Sequence, residues 1–220
     1  MKKSSLDIET AALPLEQIQH LKPAFAAPSN YKDPVKIADN IAEQERKWLE
    51  NAALSPLTGR VLVIGVKPFG EAPQVLEGEE RDILAEFWRM MGYAGQYDQW
   101  YGHNIHGFDI PFLVRRSWLH GVPVPMQTLF GDRGYVNARR LIDTMVAFQC
   151  GNRADGFVSL DTVARFFGLP GKTEDIGAQF GEVYATDRER ALSYHIRDLE
   201  IVEGVANRMF LPLAQTEAAA

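Results

Sequence analysis

Four acidic residues in three separate segments, Asp7, Glu9, Asp109 and Asp198, together with Tyr194, are the side chains whose types and spacing point to chemistry. Asp7-Ile8-Glu9 lies in an extended stretch, and strand residues two apart share a face, so both carboxylates can reach one cation. Asp109 closes Gly102-His103-Asn104-Ile105-His106-Gly107-Phe108-Asp109, after a predicted strand and at the start of a predicted helix, which puts its carboxylate at the mouth of a sheet. Tyr194 and Asp198 stand four apart on a long helical pattern, and that spacing sets phenol and carboxylate on one face. Together the segments read as a divalent-metal site suited to phosphodiester hydrolysis.

Each segment also has a plainer reading. Asp-x-Glu occurs three times in the chain, and only Asp7 to Glu9 falls on a predicted strand. Asp109 would serve as a helix N-cap, a role compatible with metal ligation. Tyr194 alone would read as a packing aromatic. For Asp198, Ile201 and Val205 continue its stripe, so that face is buried; an unpaired charge there would cost several kcal/mol, which metal ligation or a salt bridge must offset. His103, His106 and His195 have no zinc-ligand spacing and read as polar contacts, not ligands. No phosphate loop is present, and Gly171-Lys172 follows a helix where such a loop would open one, so ATP use is not supported.

The elements that must position these groups alternate strand with helix. Lys2 to Glu9 is the first strand, although Lys2-Lys3-Ser4-Ser5 is poor strand sequence. Asp33-Pro34 supplies an N-cap and a first-turn proline for a helix of about five turns through Leu54, with Ile37, Ile41, Trp48 and Ala52 at helical spacing. Arg60 to Val66 reads as a buried strand, Gln74 to Leu76 as a short one, and Glu79 to Met91 as a core-packing helix carrying Ile83, Leu84, Phe87, Trp88 and Met91. Gln99 to His103 is the next strand, followed by a helix with Pro111 in its first turn that runs to His120, before Gly121-Val-Pro-Val-Pro. Arg140 to Phe148 is predicted as a strand and Leu160 to Phe167 as a helix. Thr186 with Glu189 is predicted to form a capping box for a last helix ending near Met209, and the terminal Glu217-Ala-Ala-Ala is expected to fray. The alternation predicts an α/β layer fold in one domain over residues 1–220.

Composition narrows the function classes. A net charge of -6 argues against a protein that coats duplex with many lysines and arginines, and leaves a small footprint on a strand end whose phosphates are met by bound metal. A single cysteine, Cys150, rules out an intrachain disulfide and a cysteine zinc finger and fits a reducing cytoplasm. Neither a signal peptide nor a run long enough to span a membrane is present, so no membrane partner is expected.

Leu6-Asp-Ile-Glu-Thr10, the Gly102 to Asp109 segment and Tyr194-x-x-x-Asp198 resemble, in order, the three motifs of the DnaQ-like 3′-5′ exonucleases, and the tyrosine form of the third resembles the DEDDy branch; the histidine branch would need His at position 193, where this chain has Ser. Ile142-Asp-Thr-Met145 and Ser159-Leu-Asp-Thr-Val-Ala-Arg-Phe-Phe-Gly-Leu169 are similar to the segment between the second and third motifs. Leu54-Ser-Pro-Leu-Thr-Gly-Arg60 and Leu169-Pro-Gly-Lys172 look most like predicted exonucleases related to family-B polymerase proofreading domains. The resemblance implies a ribonuclease H-like fold, a mixed five-stranded sheet with an antiparallel second strand, flanked by helices. It also implies hydrolysis of single-stranded nucleic acid, DNA favoured, from its 3′ end to nucleoside 5′-monophosphates with two Mg2+ or Mn2+ ions. Asp7 would bridge both ions, Glu9 and Asp198 complete the first site, Asp109 support the second, and Tyr194 orient the attacking water. Thr10, with the backbone after Glu9, and Asn104 would hold the terminal nucleotide. With no polymerase segment after Asp198, a polymerase or repair complex would be a partner in trans. Two other readings stay open: an exoribonuclease of the ribonuclease D type, and a catalytically silent nucleic-acid-binding or polymerase-accessory module.

Overall fold

The structure, a computed structural model, describes residues 2–93, 98–130, 137–152 and 156–210. A five-stranded sheet carries the fold, in the order β3-β2-β1-β4-β5. At its centre β1 (Lys3–Ala12) runs antiparallel to β2 (Gly59–Pro68) and parallel to β4 (Gln99–Gly102). β3 (Gln74–Glu77) extends the sheet antiparallel to β2, and β5 (Leu141–Asp143) pairs in parallel with β4. Only β2 is antiparallel to the rest, as the resemblance implies. The polar start of β1 is held by ladders on both sides, since Ser4 and Ser5 pair with Pro68 and Lys67 of β2 and with Trp100 and Tyr101 of β4. Backbone pairing, not side-chain propensity, therefore fixes this end of the strand.

Nine α-helices are described: α1 (Leu15–Ile18), α2 (Pro34–Glu50), α3 (Glu80–Tyr93), α4 (Asp109–Leu119), α5 (Met126–Leu129), α6 (Thr144–Phe148), α7 (Leu160–Phe166), α8 (Phe180–Thr186) and α9 (Arg188–Met209). The two-residue period of β1 sorts its side chains between layers. Leu6 and Ile8 join a core with α3 and α4 that includes Ile83, Phe87, Ile110 and Phe112. Asp7 and Glu9 take the other face, which α9 covers. On that second face Tyr101 packs with α7 and α9 through Val163, Val202 and Val205, while Val63 and Phe180 surround Tyr194. An ion pair between Arg116 on α4 and Glu80 on α3, both buried, ties the first layer to β2, because Glu80 also accepts from the Val61 N–H.

Three expectations need correction. The segment from Arg140 to Phe148 is a strand only over Leu141–Asp143; the Asp143 carboxylate then accepts from the N–H groups of Met145 and Val146 and starts α6. α9 is capped not by Thr186 but by Asp187, whose carboxylate accepts from the Arg190 N–H, while the Thr186 hydroxyl turns back to the Glu182 carbonyl and ends α8. α2 starts as expected on Asp33 and Pro34, yet it buries no residue, and Ala52–Leu54 is a separate 3-10 turn. Ile37, Ile41 and Trp48 are half-buried on a segment that leaves the sheet after β1 and rejoins it at β2. The terminal Glu217-Ala-Ala-Ala lies outside the described residues. No described helix is long and apolar enough to cross a membrane.

Candidate active site

β1, α4 and α9 bring the sequence-predicted acids to one end of the sheet. Parallel pairing of β1 with β4 covers only Lys3 to Ser5, so the N–H of Ile8 has no ladder partner there; the Asp109 carboxylate takes its place, accepting from Ile8 at 3.0 Å. Asp109 does not cap α4, whose N-cap is Phe108 with no side-chain bond, so the capping role foreseen for it is not the one it fills. From α9 the face that carries Ala191, Tyr194, His195, Asp198 and Leu199 is buried against the sheet, the spacing of one helical stripe.

Two basic groups flank the acids. Lys172 Nζ donates to the Tyr194 hydroxyl and to Asp198 Oδ2, at 2.6 Å each, and lies over the Tyr194 ring. Burial of Asp198 called for metal ligation or a salt bridge, and Lys172 supplies the salt bridge on Oδ2. His195 Nδ1 approaches Asp7 Oδ2 to 3.1 Å and Glu9 Oε1 to 3.7 Å. The ring fits because Gly65 stands opposite Asp7 in the β1–β2 ladder, where a Cβ would lie 2.2 Å from Nε2 and 2.7 Å from Leu199 Cδ1.

Burial and like charge push the acids toward their neutral forms. Burial lifts Glu9 to about 7, with the nearby Asp7 carboxylate adding to the effect against His195. Asp198 rises to about 6 through burial and the charge of Asp7, despite Lys172. Asp109 stands well above the carboxylate range, again from burial and then Asp7. Burial disfavours a charged ring at His195, yet the Asp7 and Glu9 carboxylates hold its pKa up at about 10. Burial and the Asp198 charge also raise the Tyr194 phenol, which therefore stays protonated at neutral pH.

The loop after β4 is organised from below by Asp143. Its carboxylate accepts from the N–H groups of Asn104 and His106 as well as from those that open α6. That holds Asn104 in the left-handed region, at φ 62°. The His106 ring meets the Leu141 carbonyl at 2.8 Å, and the His103 ring lies between the Thr144 hydroxyl at 3.0 Å and the Val158 carbonyl at 2.6 Å. Both are the polar contacts that the sequence suggested. Thr10 is buried beside Glu9, and its hydroxyl is committed to the Ala53 carbonyl at 2.8 Å, which fastens the Ala52–Leu54 turn to the end of β1.

A cleft of about 320 Å3 opens over Asp7, Glu9, Asn104, Asp109, Tyr194 and Asp198. A second lobe of about 500 Å3 shares Asp7, His103, Phe157, Lys172 and Asp198 with it and continues past Ser159 and Arg165. Exposed Phe157 and Leu54 stand at the rim. The donor set fits hard divalent cations, since it is made of carboxylate oxygens, and Asp198 Oδ1 is buried with no hydrogen-bond partner. Among the described residues Asp7, Glu9 and His195 also form a group whose ligand atoms lie within 4.8 Å of one another.

The sequence reading named Lys172 and Asp143 only within motif segments and missed their roles, as it missed the placement of His195. His195 was detectable, falling three residues before Asp198 on the buried stripe. Nothing local ties Lys172 to the acids, because its partners are 22 and 26 residues away.

Comparison with known proteins adds two findings. The model of a family described as "Predicted 3'-5' exonuclease related to the exonuclease domain of PolB" matches residues 62–199. A solved structure of the family B DNA polymerase from the hyperthermophilic archaeon Pyrobaculum calidifontis is similar in fold, with a TM-score of 0.58 and 21% identity over 95% of this chain and 24% of that one. This chain thus spans about a quarter of the length of that polymerase. No curated protein matches it significantly.

Proposed function

This chain belongs to the family of predicted 3′-5′ exonucleases related to the exonuclease domain of PolB, and we propose that it hydrolyses single-stranded nucleic acid, DNA favoured, from the 3′ end in a metal-dependent reaction of the DEDDy type. One observation carries the reading: four acids from three elements, Asp7, Glu9, Asp109 and Asp198, line one cleft with the Tyr194 hydroxyl. Asp7, Glu9 and Asp198 would hold one divalent ion and Asp7 with Asp109 a second. Bound Mg2+ or Mn2+ supplies a Lewis acid for the scissile phosphate and lowers the pKa of the attacking water.

The remaining work falls to the protein's own groups. Lys172 donates to the Tyr194 oxygen and so fixes the hydroxyl, which keeps its own proton and a free lone pair for a water in the cleft. The raised pKa of the phenol keeps that proton in place. Asp109 is fixed by the Ile8 N–H at Oδ1 and lines the cleft. Thr10, held by Ala53, and Asn104, held by Asp143, shape the wall where the terminal nucleotide sits. Products should be nucleoside 5′-monophosphates.

The test is a set of matched single-stranded DNA and RNA oligomers labelled at either end. Stepwise shortening of the 5′-labelled DNA strand with Mg2+ or Mn2+, and none with chelator, is the expected result. Endonucleolytic fragments, or cleavage that survives the chelator, would refute it; faster loss of the RNA strand would move the substrate to an exoribonuclease.

A further inference from the structure

His195 is fully buried, and neither ring nitrogen has a well-aligned hydrogen-bond partner. Leaving a buried polar group in that condition costs about 1–3 kcal/mol, and a leucine would fill similar space without that cost. Packing alone therefore gives no reason for an imidazole at this position. What singles it out is where the ring is aimed. Nδ1 faces Asp7 Oδ2 and Glu9 Oε1, at 3.1 Å and 3.7 Å, from the sheet side of the site. Nε2 points the other way, onto Gly65, the one residue type that leaves room for it opposite Asp7.

We propose that His195 is a positioning residue for the two carboxylates of β1: its Nδ1 N–H, 3.1 Å from Asp7 Oδ2, is the donor that keeps that oxygen on the sheet side, and at 3.7 Å it draws Glu9 Oε1 to the same side by charge, which leaves each carboxylate its second oxygen for the cleft. The inference rests on the reading of Asp7 and Glu9 as metal ligands. Without the ring, two like-charged carboxylates on one strand have no shared donor behind them and lose their fixed orientation. A side chain that orients a ligand in this way is typically worth about 10- to 100-fold in metal affinity. A single N–H at the Nδ1 position is sufficient. The role thus belongs to the donor and its location, and any side chain that presents an N–H there should fulfil it.

Two variants separate the donor from the bulk. His195→Leu keeps the volume and removes the N–H; His195→Asn places its amide N–H near the Nδ1 position. Binding of Mn2+ is measured by calorimetry on the full chain, beside a metal-free thermal melt. His195→Leu should bind Mn2+ about 10- to 100-fold more weakly while still melting cooperatively, at a temperature lowered by the loss of the charge beside Asp7 and Glu9, and His195→Asn should bind within about threefold of the wild type. Wild-type affinity or tighter binding in His195→Leu overturns the proposal, tighter binding meaning that the ring merely competes with the metal for the carboxylates. If His195→Leu does not fold, His195→Gln replaces it. Its longer side chain carries the N–H to the Nε2 position, so it should bind as weakly as predicted for leucine; equal binding by the Asn and Gln variants would then overturn the proposal. Failure of the wild type itself to bind Mn2+ is a separate result, which removes the metal-site reading and this inference with it.

Discussion

Lys172 and Tyr194 should act as one unit, and a double-mutant cycle on turnover can show it. Tyr194→Phe keeps the ring, packed against Phe180, and removes only the hydroxyl that accepts from Lys172 Nζ at 2.6 Å. Loss of one positioning interaction in the transition state costs about 2–4 kcal/mol, so kcat should fall by roughly 30- to 900-fold with little change in substrate affinity. Lys172→Met keeps the aliphatic stem and removes the ammonium that fixes that hydroxyl, and kcat should fall by a similar factor. If Lys172 works through Tyr194, the double variant is no slower than the worse single one, a coupling equal to the smaller single loss, about 2–4 kcal/mol. Single-turnover degradation of a 5′-labelled oligomer at saturating Mg2+ measures all three. Losses that simply multiply would refute the unit and assign Lys172 to a partner of its own, and full turnover in Tyr194→Phe would refute the role of the hydroxyl. Stability offers a second reading of the same variant. Breaking a buried ion pair costs about 3–5 kcal/mol, and because the Lys172 side chain is 22% exposed the loss in Lys172→Met should be nearer 1–3 kcal/mol, recovered in part by divalent metal.

Asp7→Asn should abolish turnover without unfolding the protein, since Asp7 reaches into both lobes of the cleft and its side chain is 24% exposed; near wild-type cleavage would show it misassigned. Without metal, the melting temperature should fall as pH rises from about 5 to 8: Glu9 titrates near 4.5 unfolded but about 7 folded, so the native state holds the extra proton in that window and loses about 3 kcal/mol across it. Added Mn2+ should shift the melt most at the upper end of the range, and a flat metal-free profile would show that these acids are not strained. Binding of a single strand should depend weakly on salt, reflecting about two to four phosphate contacts, and a log-log slope of about -8 or steeper would reveal a basic surface that the cleft does not have.

The parts of the fold that were legible in the sequence are those governed by local rules. Period-two alternation put Asp7 and Glu9 on one face, helical spacing aligned Tyr194 with Asp198, and Asp33-Pro34 marked the start of α2. Misreadings fell where a distant or competing partner decides. Arg140 to Phe148 has strand composition, but Asp143 satisfies four N–H groups at once, those of Asn104, His106, Met145 and Val146, and that demand turns the chain into α6. Thr186 and Asp187 can both cap, and the end of α8 claims the threonine. α2 is amphipathic by sequence, yet amphipathicity names a face and not a partner, and here that face is only half-covered. Within the site, sequence spacing found the residues that share an element, while Lys172, arriving from a loop after α7, could be found only in three dimensions.

The charges of the site explain why an acidic protein can be built to meet a phosphate. Four acids, Asp7, Glu9, Asp109 and Asp198, face two bases, Lys172 and His195, and each base sits with particular partners: Lys172 with Asp198, His195 with Asp7 and Glu9. Asp109 touches neither base and meets only backbone N–H groups, that of Ile8 among them, and its carboxyl stands well above the normal range; Glu9, at the longer 3.7 Å from the ring, is raised to about 7. The two worst-compensated acids are thus the two that the metal-free protein tends to keep protonated. A divalent cation would replace those protons, and its attraction to the site would then be set by the very burial that makes the carboxylates costly. Basic residues spread over the surface are not required for that step, which reconciles a net charge of -6 with a substrate made of phosphates.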